Sequence, residues 1–514
     1  AGVTSKRVDL AYDAAGRSTS VARFSDLDGL NRVLTGVFTY DSAGRTSGVT
    51  YRNAANVLLE SFAYQYDAVS RISRFTDVDG ATDYAYDSVG ELTSANHVDA
   101  TNPDEAYQYD KVGNRTSSQR HGAGYVTGDG NATTADANRL SSDGVYRYTY
   151  DAEGNLATRT KIADGQTREF KYDHRNRLVE VSDRVSSTGA ATKRVRFQYD
   201  ALDRRVSTEV DSTPADGQAG PTTYFVYAGG ELVTEMLDTD GSDGPAAVQV
   251  TRRYLYGPAV DQVLAQDDGA GQTRWYLADH VGTIRDVVDG QGQVVDHLKY
   301  DSFGNVIAQS NSANSPRFQF TGREYDDATG LLYFRARYYD PSTGRFLQED
   351  PLGHDAGDAN LYRYVGNNPV SYNDPDGREP TAAAGQPQTK KLAPGPQMVK
   401  DAKDWAAKQV NGIRTFGRAV YQVGYDVVHW KDRMDKAANS SAEQQIQQVE
   451  QAKKDTIKAG KVCAIGAKKT MTVGNPGGKV ASAVAFITGK IKGKLQGKNG
   501  SQGQPSSGDG AKSH

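Results

Sequence analysis

The chain has 514 residues, with 54 Gly and 30 Tyr against 4 Met, 14 Phe and a single Cys. That balance describes many turns and amphipathic aromatic strands rather than a helical globule, and one cysteine excludes an intramolecular disulfide. The formal charge of −4 hides two unlike parts: residues 378–514 carry about +13 and those before them about −17.

No basic region followed by an apolar run stands at the start, so no Sec-type leader is read. No apolar run reaches the ~18 residues that suggest a spanning helix. From Ala11 onward one phrase returns: "AYDAAGRST", then "TYDSAGRTS" from Thr39, "QYDAVSRIS" from Gln65, "AYDSVGELT" from Ala85 and "QYDKVGNRT" from Gln108. It continues as "TYDAEGNLA" from Thr149, "KYDHRNRLV" from Lys171, "QYDALDRRV" from Gln198 and "KYDSFGNVI" from Lys299. Tyr recurs two residues apart at Tyr64/Tyr66, Tyr84/Tyr86 and Tyr107/Tyr109, which puts the rings on one face of an extended strand. Asp then accepts backbone N–H bonds in a turn, and Gly three residues later supplies a positive φ. A hairpin of this kind cannot bury its Tyr face alone, so neighbours must stack into a long sheet that coils with the strand twist. The Gly/Asp-rich stretches from His121 and from Asp238 read as solvated insertions between units.

These residues resemble the YD or RHS (rearrangement-hotspot) repeat family. The likeness sharpens in "WYLADHVGTIRDVVDGQGQVVDHLKYDSFGNV" from Trp275, "FTGREYDDATGLLYFRARYYDPSTGRFLQEDPLG" from Phe320 and "ANLYRYVGNNPVSYNDPDG" from Ala359, which are similar to the RHS-associated core. The expected fold is mainly β. A spiralling sheet of YD-repeat hairpins forms a shell or partial barrel, followed by a mostly α-helical or partly disordered C-terminal segment. On this reading residues 1–310 are the repeats, 311–377 the core or plug, 378–397 a linker, 398–495 a variable cargo and 496–514 a disordered tail.

Asp-Pro-x-Gly occurs twice, at Asp350–Gly353 and Asp374–Gly377. On its own the tetrapeptide is a β-turn signal. In the resembling family the core is a self-cleaving, aspartyl-protease-like element cut just after such a motif. The resemblance therefore implies Asp350 and Asp374 as the catalytic carboxylates, Arg345 and Arg363 as nearby cations, and Arg378–Glu379 as the bond cut. Two close carboxyls cannot both ionise cheaply, so one keeps a proton while the other acts as base, and a guanidinium steadies the developing charge. The family writes Leu where this chain has Arg378, and burying that charge in an apolar pocket would be costly. No cofactor and no metal site is read.

Past Gly377, "PTAAAGQPQTKKLAPGPQ" reads as a linker, and helical spacing follows from Met398. Asp426, His429 and Asp432 stand at intervals of three, but a solvated helix face explains them better than a ligand cluster. "GNPGGK" from Gly474 lacks the phosphate-loop spacing, and Cys463 has no catalytic companions. The favoured function is an RHS-type polymorphic-toxin effector, secreted or at the cell surface, whose shell holds a basic toxin until aspartate-dependent self-cleavage. The expected partners are an immunity protein, a secretion apparatus, and a membrane or nucleic-acid target, with a slight preference for membrane disruption. The alternative is a non-enzymatic YD-repeat scaffold for adhesion or glycan binding, its Tyr faces stacking on sugar or another cell-surface ligand. About ten hairpins are few to enclose such a cargo, so a piece of a longer protein is expected.

Overall fold

The repeated phrase folds into one recurring joint. In the unit at Tyr40, Asp41 Oδ1 accepts the backbone N–H groups of Ala43 and Arg45 at 2.9 Å each, and its Oδ2 accepts Arg45 Nε at 2.7 Å. Gly44 closes the turn with φ +83°. The Arg45 guanidinium then lies 4.3 Å over the ring of Tyr66, the tyrosine of the next unit, whose hydroxyl donates to the Thr46 carbonyl at 2.6 Å. The same pattern links Arg17 with Tyr40 and Ser18, Arg71 with Tyr86 and Ile72, and Arg177 with Tyr199 and Leu178. Where the phrase lacks Gly, Ser70, Asn176 and Asp203 adopt positive φ in its place. Where it lacks Arg, the amides of Asn114, Asn155 and Asn305 donate to the turn aspartate. Tyr66→Phe keeps the ring under Arg45 but leaves the Thr46 carbonyl without that donor. We expect a loss of about 1 kcal/mol, read as a lower midpoint in denaturant unfolding.

The computed structural model describes residues 4–98, 102–119, 122, 124–127, 138–241 and 247–382. The cargo and tail read at 398–495 and 496–514, with Asp426, His429, Asp432, Cys463 and the Gly474 loop, lie outside the described residues, as does most of the linker. Within them the fold is mainly β, with four short 3-10 turns and no α-helix. Strands pair antiparallel in chain order as a ten-stranded sheet, from Arg7–Tyr12 to Arg115–Ser118, and a sixteen-stranded sheet, from Tyr125–Thr127 to Val306–Gln309. The long sheet expected from the repeats is thus divided, and the break falls at the Gly/Asp-rich insertion. There Ser118, paired with Tyr107 on one side, makes a single bridge to Gly122 on the other.

The middle strands of the first sheet meet the late strands of the second. Val49, Tyr51, Phe62 and Phe75 of the first pack with Trp275, Leu277 and Val288 of the second. Arg23 Nη1 and Tyr51 Oη donate to the carbonyls of Tyr276 and Ala278 across that seam. A four-stranded sheet, Glu324–Asp326, Leu331–Phe334, Arg337–Asp340 and Arg345–Phe346, lies in the segment read as the plug. One side, with Phe334, Tyr339 and Phe346, packs on Tyr276, Ile284 and Leu298. The other, with Leu331, Tyr333 and Tyr338, packs on Phe170, Val181 and Phe197. Alternating apolar side chains on a fully buried sheet account for both faces.

Candidate active site

The strand Arg337–Asp340 begins with a cation in an aromatic setting. Arg337 is 3% exposed, and its guanidinium lies 3.7 Å over the Phe346 ring. Desolvation of that kind requires compensating negative charge. Two carboxylates supply it: Arg337 Nη2 is 2.9 Å from Asp350 Oδ2 and 3.3 Å from Asp374 Oδ2. Both Asp-Pro-x-Gly motifs therefore converge on one nitrogen atom. Arg337 Nε also donates to the Gly377 carbonyl at 2.6 Å, and Nη1 to the Leu361 carbonyl at 3.1 Å.

The second motif is the turn of a short hairpin whose arms, Tyr372–Asn373 and Thr381–Ala382, pair antiparallel. Thus the linker read from Arg378 starts with ordered residues. Asp374, 2% exposed, points into the turn and accepts the Arg378 backbone N–H at 2.9 Å. Two further arginines clamp the loop, Arg335 Nη1 and Arg323 Nη1 both donating to the Pro375 carbonyl. Gly377 has φ +73°, and a Cβ there would stand 2.4 Å from the Phe334 carbonyl oxygen, so only glycine fits without moving the strand. Arg378 and Glu379 are exposed, which leaves the charge of Arg378 solvated. A cavity of about 210 Å³ opens beside the pair, lined by Asp350, Asp374, Arg337, Arg363, Arg378 and Pro380 among others.

Burial decides the electrostatics. It pushes the Asp374 carboxyl up to about 6 against the opposing pull of Arg337 and the Arg378 N–H, with Asp376 and Asp350 adding repulsion. Burial also raises Asp350, again opposed by Arg337. The arrangement can keep one carboxyl protonated and the other ionised beside a peptide bond, the requirement for acid–base hydrolysis.

The guanidinia of the two arginines named from the sequence find other partners. Arg345 donates to the Asn114 side chain at 3.4 Å and to the Asn138 carbonyl, tying the plug to the wall. Arg363 lines the cavity, but its guanidinium binds Glu91 at 2.9 Å and Asp358 at 2.5 Å. Arg337 holds the pair in their stead. Its signal in "YFRARYY" was an arginine on a strand otherwise reading as buried aromatic core, a place that demands carboxylates from outside the strand.

Family comparison agrees with the architecture. The teneurin YD-shell family model matches residues 10–370. The chain belongs to the teneurin YD-shell family. Over 368 residues this YD-shell chain is 32% identical to double-stranded DNA deaminase toxin A of Burkholderia cenocepacia (strain H111), covering 66% of this chain and 23% of that protein. Over 323 residues it is 29% identical to the tRNA3(Ser)-specific nuclease WapA of Bacillus spizizenii, covering 61% of this chain and 11% of that protein. The chain thus spans about a quarter or less of the length of these relatives. The solved Tc holotoxin pore of Photorhabdus luminescens shares the fold, with a TM-score of 0.54 and 22% identity over 73% of this chain and 20% of that one.

Proposed function

We propose that this YD-shell is the carrier part of a toxin and that it cuts its own backbone between Arg378 and Glu379. The observation that carries the reading is the convergence of Asp350 and Asp374 on Arg337, with Asp374 also hydrogen-bonded to the Arg378 N–H. In this mechanism Asp350, the closer to Arg337, is ionised and takes a proton from a water. The hydroxide formed attacks the Arg378 carbonyl carbon while Asp374 gives its proton to the carbonyl oxygen. The C–N bond then breaks as Asp350 passes its proton to the Glu379 nitrogen and Asp374 takes one back from a hydroxyl of the diol, leaving a carboxyl on Arg378, an amine on Glu379 and both aspartates as they began. The peptide is held within the same loop as the acid, so the reaction needs no binding step.

Toxin names among the relatives support the carrier role, and those names put DNA and tRNA among the substrates of proteins that share this shell. The family match ends before the basic segment, so the target proposed here rests on that segment's charge: a polyanion, either nucleic acid or an anionic membrane. Secretion or surface display, an exporter and a neutralising immunity partner follow from this role. The scaffold alternative has less support, because the Tyr rings it would offer to sugar lie under arginines with their hydroxyls on backbone carbonyls.

The pH dependence tests the assignment. Asp374 must be protonated to act as acid, and its carboxyl titrates at about 6. Processing of the full chain is therefore expected to slow as pH rises through that value, losing about tenfold per unit on the alkaline side. The readout is the cleaved fraction between about pH 5 and about pH 8, with mass spectrometry of the new N-terminus. Release of a fragment beginning at Glu379 only on the acid side supports the proposal; an intact chain at every pH overturns it.

A further inference from the structure

A second cluster of titratable groups lies at the seam between the two wall sheets, outside the candidate active site. Glu60 comes from the strand Leu58–Tyr66 of the first sheet, Asp286 from Ile284–Val288 and His297 from Val294–Tyr300 of the second. Each brings a donor atom within 4.8 Å of the other two. Glu60 is 0% exposed and Asp286 2%, yet Glu60 Oε2 and Asp286 Oδ2 have no hydrogen-bond partner. Buried carboxylate oxygens left in that state are costly unless something positive sits between them.

The surroundings do not provide enough. Arg285 Nη2 is taken by Asp77 at 2.7 Å, Lys299 Nζ by Asp79 at 3.0 Å, and His297 lies between Asp286 at 2.7 Å and Asp79 at 3.0 Å. Four carboxylates thus face two permanent cations and the His297 ring, whose two nitrogens both meet carboxylates that hold it protonated, which leaves the cluster one positive charge short. One proton on a carboxylate can fill that deficit, and so can one divalent cation that takes the place of a proton on the His297 ring.

We propose that this seam binds one zinc-class divalent cation through Glu60, Asp286 and His297, clamping the first sheet to the end of the second. One imidazole with two carboxylates is a nitrogen–oxygen donor set suited to Zn²⁺, and a fourth position stays available to water. Bonds of about 2.0–2.2 Å require the donors to draw in by up to about 1 Å, a shift within reach of side-chain rotation. His297 and Asp79 are about one-fifth exposed, so the site has an entry from solvent. The three ligands are scattered over the chain, which is why no spacing motif announces them.

The test uses the full chain freed of metal with a chelator and then titrated with ZnCl₂ by calorimetry. Wild type should take up one Zn²⁺ that Glu60→Gln and His297→Gln both fail to bind. Its thermal midpoint should rise by about 3 °C at a hundredfold excess over Kd. Replacing Zn²⁺ with Co²⁺ should give an absorption band that reports nitrogen–oxygen ligation and is missing from the variants. Binding that survives in both variants belongs to other residues and overturns the proposal. So does a seam that is stabilised by acid but indifferent to ZnCl₂, since protons would then be filling the deficit.

Discussion

The Asp374→Asn chain is expected to stay in one piece under conditions where wild type sheds its basic C-terminal segment. Asparagine fills the same volume and still accepts the Arg378 N–H, so the hairpin at Tyr372–Ala382 should persist, but the amide has no proton to give. The expected loss in cleavage rate is about 10²–10⁴-fold, the range for a positioned general acid or base. Asp350→Asn should fall as far, because base and acid act in one step and removing either halts it. A denaturing gel over time, with mass spectrometry for the Glu379 terminus, gives the answer. A rate independent of protein concentration would place the cut within a single chain. Cleavage at wild-type speed in both variants would remove the dyad from the mechanism.

Substitution at Arg205 should affect stability more than substitution in any single repeat joint. Arg205 is 0% exposed, stands 4.7 Å from the Tyr333 ring and 5.0 Å from the Phe225 ring, and pairs with Glu324 at 2.7 Å and Asp326 at 3.4 Å. It is one of the charges that tie the wall to the plug. Burial pushes the Glu324 carboxyl up, but Arg205, Arg317 and Arg323 outweigh it and hold the group below its ordinary range. Arg205→Met keeps most of the packing and strands two buried carboxylates with less compensation. A loss of about 3–5 kcal/mol is expected, read from denaturant unfolding. Adding Glu324→Gln and Asp326→Asn to that variant should recover part of the loss, because the uncompensated charges are then gone. Equal stability of wild type and Arg205→Met would show that the cluster breaks even against apolar packing.

Much of the wall was legible because its code is local. Tyr at alternate positions, Asp at the turn and Gly three residues on each act within a few residues, and the joint at Asp41–Arg45 follows from that spacing. The role of Arg45 toward Tyr66 was not legible, since it depends on the stagger between adjacent hairpins, which no single unit displays. The candidate site divides in the same way. Asp350 and Asp374 stand out by their repeated tetrapeptide, and the structure brings both onto Arg337. Arg345 and Arg363 drew attention by nearness in the chain, yet their guanidinia turn to the wall, because chain proximity says nothing about which edge of the plug sheet faces the hairpin. Glu60, Asp286 and His297 lie further still from legibility, having no shared motif and meeting only where the two sheets close on each other.

The joint described for Tyr66 has a consequence for how such proteins change over generations. Each Arg-bearing unit grips its successor with its own Asp–Arg turn, so the same coupling recurs along the wall. Gaining or losing one whole hairpin leaves the neighbouring couplings intact, whereas a deletion of part of a hairpin uncouples both sides. Lineages are thus free to lengthen or shorten the wall in steps of one unit, and the walls of related proteins should differ by whole hairpins.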